Sequence, residues 1–222
     1  MINIFFITII TNCLIFSFGL YLYLYIFKEK LSKLNIYEIP IFGIIILSFI
    51  SLLINFFFPI NKLVGSLILL LGLLFLAFYI SKNREIFIKL LKLITISSLL
   101  TTILVSYSHI YRPDGGLYHL PFVSIINENK IIFGVTNIHF RFGHTSIIQY
   151  LSAIQNNYFF NLSSVSIPIA SIFSFSIIYI IKKIFQTIED KSFISIFYLL
   201  IAVSCIINYG SFGNYGNDAA SN

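Results

Sequence analysis

The first 27 residues, Met1 to Phe27, carry no charged side chain. A helix needs roughly 20 apolar residues to cross the hydrocarbon core of a bilayer, so this run alone restricts the chain to a membrane helix or a deeply buried core. Three further runs settle the choice. Ile39 to Asn61, Leu63 to Ser81 and Leu93 to Tyr111 are each apolar, long enough to span, and bordered by Lys, Arg or Glu. With 10% charged residues against 58% hydrophobic, the chain falls far below the roughly 25% charge of a soluble domain. It could not cover its own surface in water. The sequence therefore predicts an all-α, polytopic transmembrane helical bundle.

The charge-free region from Phe142 to Ile181 is too long for one crossing, and Gln155, Asn156 and Asn157 interrupt it. Between Thr145 and Phe160 the apolar residues Ile147, Tyr150, Leu151, Ile154 and Tyr158 alternate at helical spacing with Ser146, Gln149, Ser152 and Gln155. Such a pattern predicts an amphipathic helix lying along the interface. Leu162 to Ile181 then crosses, with neighbouring helices satisfying the carbonyl that Pro168 frees, and a sixth span runs from about Ser192 to Ile207. The expected organisation is four spans in residues 1–107, a polar loop with the interfacial helix in 108–161, two spans in 162–207, and a second loop in 208–222.

Ten of the 14 Lys and Arg residues fall in one alternating set of loops and four, Lys62, Arg112, Lys130 and Arg141, in the other. The basic side stays in the cytoplasm, which turns the amino terminus and the loop from Ser108 to His144 outward, to the periplasmic side if the cell is bacterial. The net charge of +6 thus reads as anchorage to anionic membrane lipids, not as a nucleic-acid surface. Cys13 and Cys205 lie within apolar runs and read as small hydrophobes. The first run lacks the basic start and small-residue cleavage site of a signal peptide. The glycine-rich tail from Tyr209 to Asp218 has no span after it, so the chain is expected to be the amino-terminal part of a longer protein.

All four histidines and most outer-face charges sit in the loop after the fourth span: His109, Arg112, Asp114, His119, Glu128, Lys130, His139, Arg141 and His144. Ionisable residues gathered at one surface of a nearly uncharged protein suggest a functional site, although an outer loop is also polar simply because water solvates it. Asp114 stands between Pro113 and two glycines at the exit of a span. It can cap the next helix or act as a general base beside a membrane-bound substrate, with Gly115 and Gly116 giving the backbone room. Arg112 and Arg141 carry forked guanidinium groups matched to phosphate and serve equally well as headgroup anchors. His139 and His144, five residues apart, lack the carboxylate partner of a metal site. No phosphate-binding loop, dinucleotide fingerprint, serine elbow or paired zinc cysteines occurs.

The string Arg112-Pro-Asp-Gly-Gly-Leu-Tyr-His-Leu-Pro resembles the first-loop motif of the GT-C superfamily of membrane glycosyltransferases. Together with Gly134-Val-Thr-Asn-Ile-His-Phe-Arg-Phe-Gly143 it is similar to a group of bacterial GT-C-like membrane proteins. The resemblance implies an enzyme that transfers a sugar from a polyprenyl-phosphate-linked donor to a lipid or glycan acceptor at the outer face of the bacterial inner membrane. Asp114 and His119 would be catalytic, Asp114 as the base. Asp218, as the acid of the second outer loop, would bind substrate with Tyr118 and His139; Arg112 or Arg141 would hold the lipid phosphate, an assignment that rests on their charge and not on the motif. A divalent cation is the one cofactor such a site would take, and this motif offers a single Asp to it where an Asp-x-Asp pair is more usual. Two rival functions stand beside this one: a transporter or flippase of polysaccharide lipids, and a non-enzymatic membrane subunit.

Overall fold

Thr8, Thr11, Asn12 and Gly19 recur at helical spacing along the first apolar run, and this polar or small face is buried, with Leu14, Ile15, Phe16 and Leu20 beside it. In water the apolar face would turn inward. In lipid, large side chains gain nothing by leaving the solvent, so polar and small residues seek the helix contacts instead. The computed structural model of the chain describes residues 2–26, 35–82, 84–107, 115–144, 146–189, 193–209 and 212. Among them there is no strand, and the expected all-helical bundle is found.

Helix α1 (Ile2–Tyr21), extended by a π-helical turn over Leu22–Ile26, runs through the middle of the bundle. It packs on α2 (Ile39–Phe57), α3 (Lys62–Lys82), α4 (Arg84–Tyr107) and α7 (Ile167–Glu189). Gly19 and Gly43 let α1 and α2 meet backbone to backbone: a Cβ on Gly19 would run into the carbonyl of Ile39, and one on Gly43 into that of Ile15. Neutral hydrogen bonds join the other partners. Asn12 Nδ2 lies 3.1 Å from Ser97 Oγ and 3.0 Å from Ser98 Oγ of α4, and Thr8 and Thr102 hydroxyls are 3.1 Å apart. Ser17 donates to the Gly72 carbonyl of α3 at 2.6 Å, and Thr101 of α4 to Ser174 of α7 at 2.8 Å. A bond of this kind within a bilayer contributes on the order of 0.6 kcal/mol, so the seam's effect is collective.

Among the described residues, five helices are long and apolar enough to cross a membrane: Ile2–Ile26, Ile39–Phe57, Lys62–Ser81, Phe87–Ser106 and Leu162–Glu189. The chain is a membrane-embedded helical protein. Helix α8 (Ile194–Ile207), expected as a sixth span, has 14 residues; at about 1.5 Å per residue it falls short of the roughly 30 Å core. It packs along α7, where Leu104, Phe173, Ile177 and Ala202 form a second apolar cluster with Phe212. Pro168 lies in the first turn of α7, where its missing N–H leaves no helix bond unmade.

The helix ends sort into two groups. At one end, Glu38 draws in the Tyr23 hydroxyl at 3.2 Å, the Asn35 amide at 2.7 Å, the Tyr179 hydroxyl at 3.5 Å and Lys183 at 3.8 Å, so that α1, α2 and α7 meet there. At the other end, the turn between α2 and α3 receives α5 (Leu120–Glu128) and α6 (Ile148–Ala153). Ile60 N–H donates to the Ile126 carbonyl at 3.0 Å. Asn127 Nδ2 donates to the carbonyls of Ile60 at 2.6 Å and Ala153 at 2.9 Å, while its oxygen accepts from Asn156 at 3.0 Å. Replacing Asn127 by Leu keeps the volume and strips the donor from two buried carbonyls. The expected loss is about 3 kcal/mol, as each orphaned buried group costs roughly 1–3 kcal/mol, and thermal unfolding in detergent would measure it.

The interfacial helix expected over 145–160 differs most. Only Ile148–Ala153 is helical, followed by turns and bends to Phe160. Its intended outer face is buried together with the apolar one: Gln149, Ser152 and Gln155 are inside, as are Leu151 and Ile154. Gln155 accepts from Thr11 of α1 at 3.1 Å, and the Ile154 carbonyl lies against Gly65 of α3, where a side chain would not fit. The two uncharged glutamines found partners inside the protein, which a water-facing strip of Lys or Glu would not have done.

Candidate functional site

The loop residues are gathered at the α5–α6 end. Asp114, Arg112 and Asp218 lie outside the described residues; the account begins at Gly115, one position after Asp114. Gly115–His119 forms a π-helical turn that runs directly into α5, whose first turn holds Pro121. The wide turn carries Tyr118 and His119 to the side of the bundle where the Phe140–His144 turn packs.

His119 is only 2% exposed. Gln149 of α6 lies 3.0 Å from its Nδ1, and the Gln149 oxygen accepts from the Ser146 N–H at 3.2 Å. That second bond fixes the amide, so its nitrogen faces the histidine. An amide nitrogen only donates, hence Nδ1 accepts and the ring proton of the neutral imidazole sits on Nε2. Buried and held in this way, His119 ties the 115–119 turn to α6.

Tyr118 lies tilted beside it, ring centroids 4.1 Å apart, and faces His139 at 6.4 Å with the planes nearly parallel. The Arg141 guanidinium sits 5.0 Å from the Tyr118 centroid and 5.7 Å from that of Phe140. Cation–π contacts of this length hold the charge over aromatic faces. His139 stacks on Phe140 at 5.2 Å and approaches Phe142 at 5.4 Å. Its Nδ1 accepts from the Arg141 backbone N–H at 3.3 Å. Four of the residues expected from sequence, Tyr118, His119, His139 and Arg141, therefore form one cluster.

Phe122 joins this cluster to a pocket of about 100 Å³ behind it, lined in part by Asn55, Lys130, Ile131 and Tyr150. Desolvation raises the Tyr150 phenol above its ordinary range, which keeps it a neutral donor. Among the described residues no three His, Cys, Asp or Glu side chains come together as metal ligands would.

Gln149 was not expected here, nor were Asn55 and Asn127, which brace the floor. Their signal was available: uncharged amides in a chain otherwise short of polar side chains, which in a lipid environment mark internal contacts. Substituting Gln149 by Met removes the amide and keeps the bulk. The docking of α6 on the 115–119 turn should weaken by about 1–3 kcal/mol, seen as faster amide exchange across residues 115–128 with exchange in α1 and α2 unchanged.

The helices leading to the undescribed aspartates end on this side as well. Tyr209 and Phe212, beyond α8, pack on Phe173 near the start of α7, at 5.5 and 5.0 Å, and Leu104 near the end of α4 shares their cluster. No curated protein and no solved structure matches the chain. One family model does, over residues 1–213, which takes in α1 to α8, and the chain belongs to that family, Domain of unknown function (DUF8201).

Proposed function

We propose that the protein is a glycosyltransferase of the GT-C type, working at the outer face of a bacterial inner membrane on a sugar carried by polyprenyl phosphate. The reading is supported above all by the cluster of Tyr118, His139 and Arg141, which starts four residues after Asp114 in the long connection between α4 and α7. Asp114 takes the proton of an acceptor hydroxyl while that oxygen bonds to the anomeric carbon. The bond from that carbon to the phosphate oxygen breaks, and the phosphate leaves with the electron pair. Arg141 neutralises the charge that develops there, and fixed donors aimed at developing charge are usually the largest single source of catalysis. Tyr118 and Phe140 keep the guanidinium in place; His119 and Gln149 keep Tyr118 in place. Arg112 and Asp218 complete the grip on donor and acceptor. A lipid-linked donor fits this side of the membrane because nucleotide sugars are made in the cytoplasm.

The test is direct. Membranes containing the protein, and matched membranes without it, are incubated with a panel of radiolabelled hexoses on polyprenyl phosphate or on nucleotide. Protein-dependent transfer from a lipid-linked sugar is the expected result. Transfer from nucleotide sugars alone, or from none of the panel, would remove the proposal.

A further inference from the structure

The stretch from Ile131 to Phe140 carries large apolar side chains into the open. Phe133 is 89% exposed, Phe140 70% and Ile138 69%. Single exposed hydrophobics need no explanation, but several within ten residues mark a contact surface. The backbone fixes its depth. Ile131 N–H donates to the Asn55 carbonyl at 3.0 Å, and Asn55 Nδ2 donates to the Asn129 carbonyl at 3.0 Å. Asn55 lies in the last turn of α2, whose closing residues Phe56, Phe57 and Phe58 are exposed in the manner of a lipid-facing span end. Phe133 follows Ile131 by two residues, and two extended residues reach at most about 7 Å. An interfacial element buries its apolar face roughly 5–10 Å into the headgroup and acyl boundary, so Phe133 cannot escape that layer. Gly134, at φ +77°, then turns the chain back; Val135 packs on the core while Ile138 and Phe140 stay outside.

Charge fits the same environment. From Asn129 to His144 the chain has two cations, Lys130 and Arg141, and no acid. Lys62, exposed at the start of α3, stands at the same end of the bundle. Long basic side chains at this depth extend to lipid phosphates while their stems remain apolar. On the α3 side, Tyr158 and Phe159 repeat the arrangement: both are exposed, and the Tyr158 N–H is tied to Ser66 Oγ at 3.0 Å, about one turn inside the helix.

From these observations we infer that residues 131–140 form a lipid-embedded wedge, Phe133 and Ile138 entering the interfacial layer of the bilayer and Lys130 reaching its phosphates. Of the interfacial role expected of residues 145–160, Tyr158 and Phe159 keep a part, and residues 131–140 carry the rest. The inference is independent of the chemistry proposed above.

The sequence contains no Trp, so Phe133→Trp and Ile138→Trp each introduce a single indole at a site with room for it. Each variant is reconstituted into phosphatidylethanolamine–phosphatidylglycerol vesicles whose lipids carry bromine either near the headgroup or near the chain end, with Phe57→Trp as the depth reference. Emission should shift to the blue, and shallow bromines should quench about twofold more than deep ones, with iodide in the water quenching little. Efficient quenching by iodide with none by bromine would place the loop in water and overturn the inference. Blue-shifted emission indifferent to both quenchers would mean that protein, such as a second copy of the chain, covers the segment, and this too would overturn it.

Discussion

Replacing Asp114 by Asn is expected to lower sugar transfer by roughly 10²–10⁴-fold, the range over which a positioned general base acts. The substitution is close to isosteric and removes the basic lone pair. A helix cap survives it, because Asn caps about as well as Asp. The two readings of this residue therefore separate in one experiment. If Asp114 only caps the turn that starts at Gly115, the Asn variant should keep its activity and its melting temperature. If it is the base, activity falls while insertion and stability in detergent stay as they were. Initial rates with a polyprenyl-phosphate donor, measured beside a thermal unfolding curve, give both numbers. An Asn variant with undiminished transfer would take Asp114 out of the mechanism.

The largest effect on stability should come from Gly43→Ala. The added methyl group meets the backbone carbonyl of Ile15 across the α1–α2 contact, and the backbone of a central helix has no rotamer by which to yield. Overpacking costs about 1–3 kcal/mol when side chains can rearrange; here the helices must separate, and the loss should reach or exceed about 3 kcal/mol. Separation would also carry Tyr23 away from Glu38 and loosen the three-helix junction at that end. Gly72→Ala is the control. Its methyl group meets only the ends of Leu14 and Phe18, which can shift, so a loss of about 1 kcal/mol is expected. Equal melting temperatures for the two variants would show that the close crossing of α1 and α2 is not the main constraint on the bundle.

Much of the architecture was legible in the chain. Long apolar runs identified the first four membrane helices, the fourth with a shift, since Leu93 to Tyr111 was expected and Phe87–Ser106 is found. The cluster around Tyr118 and Arg141 was visible as an unusual density of histidine, arginine and tyrosine in one loop. The segment after it was misread. Gln149, Ser152 and Gln155 follow a helical period, and periodicity identifies a polar face without saying whether water or another helix meets it. Phe133, Ile138 and Phe140 had no period to reveal them, since a loop turned by Gly134 presents side chains in an order that only its backbone angles set.

What the sequence determined by itself was the solvent: too few charges and too many long apolar runs for anything but lipid, and hence helices, which satisfy every backbone group internally. What only the tertiary structure decided was the assignment of partners to its uncharged polar residues. Asn12, Asn127, Gln149 and Gln155 had to bond somewhere, because a buried amide without a partner costs more than any single contact returns. The partners they bond, Ser97, Ile60, His119 and Thr11, lie from 30 to 144 positions away along the chain, and nothing in the local pattern specifies such distant pairs.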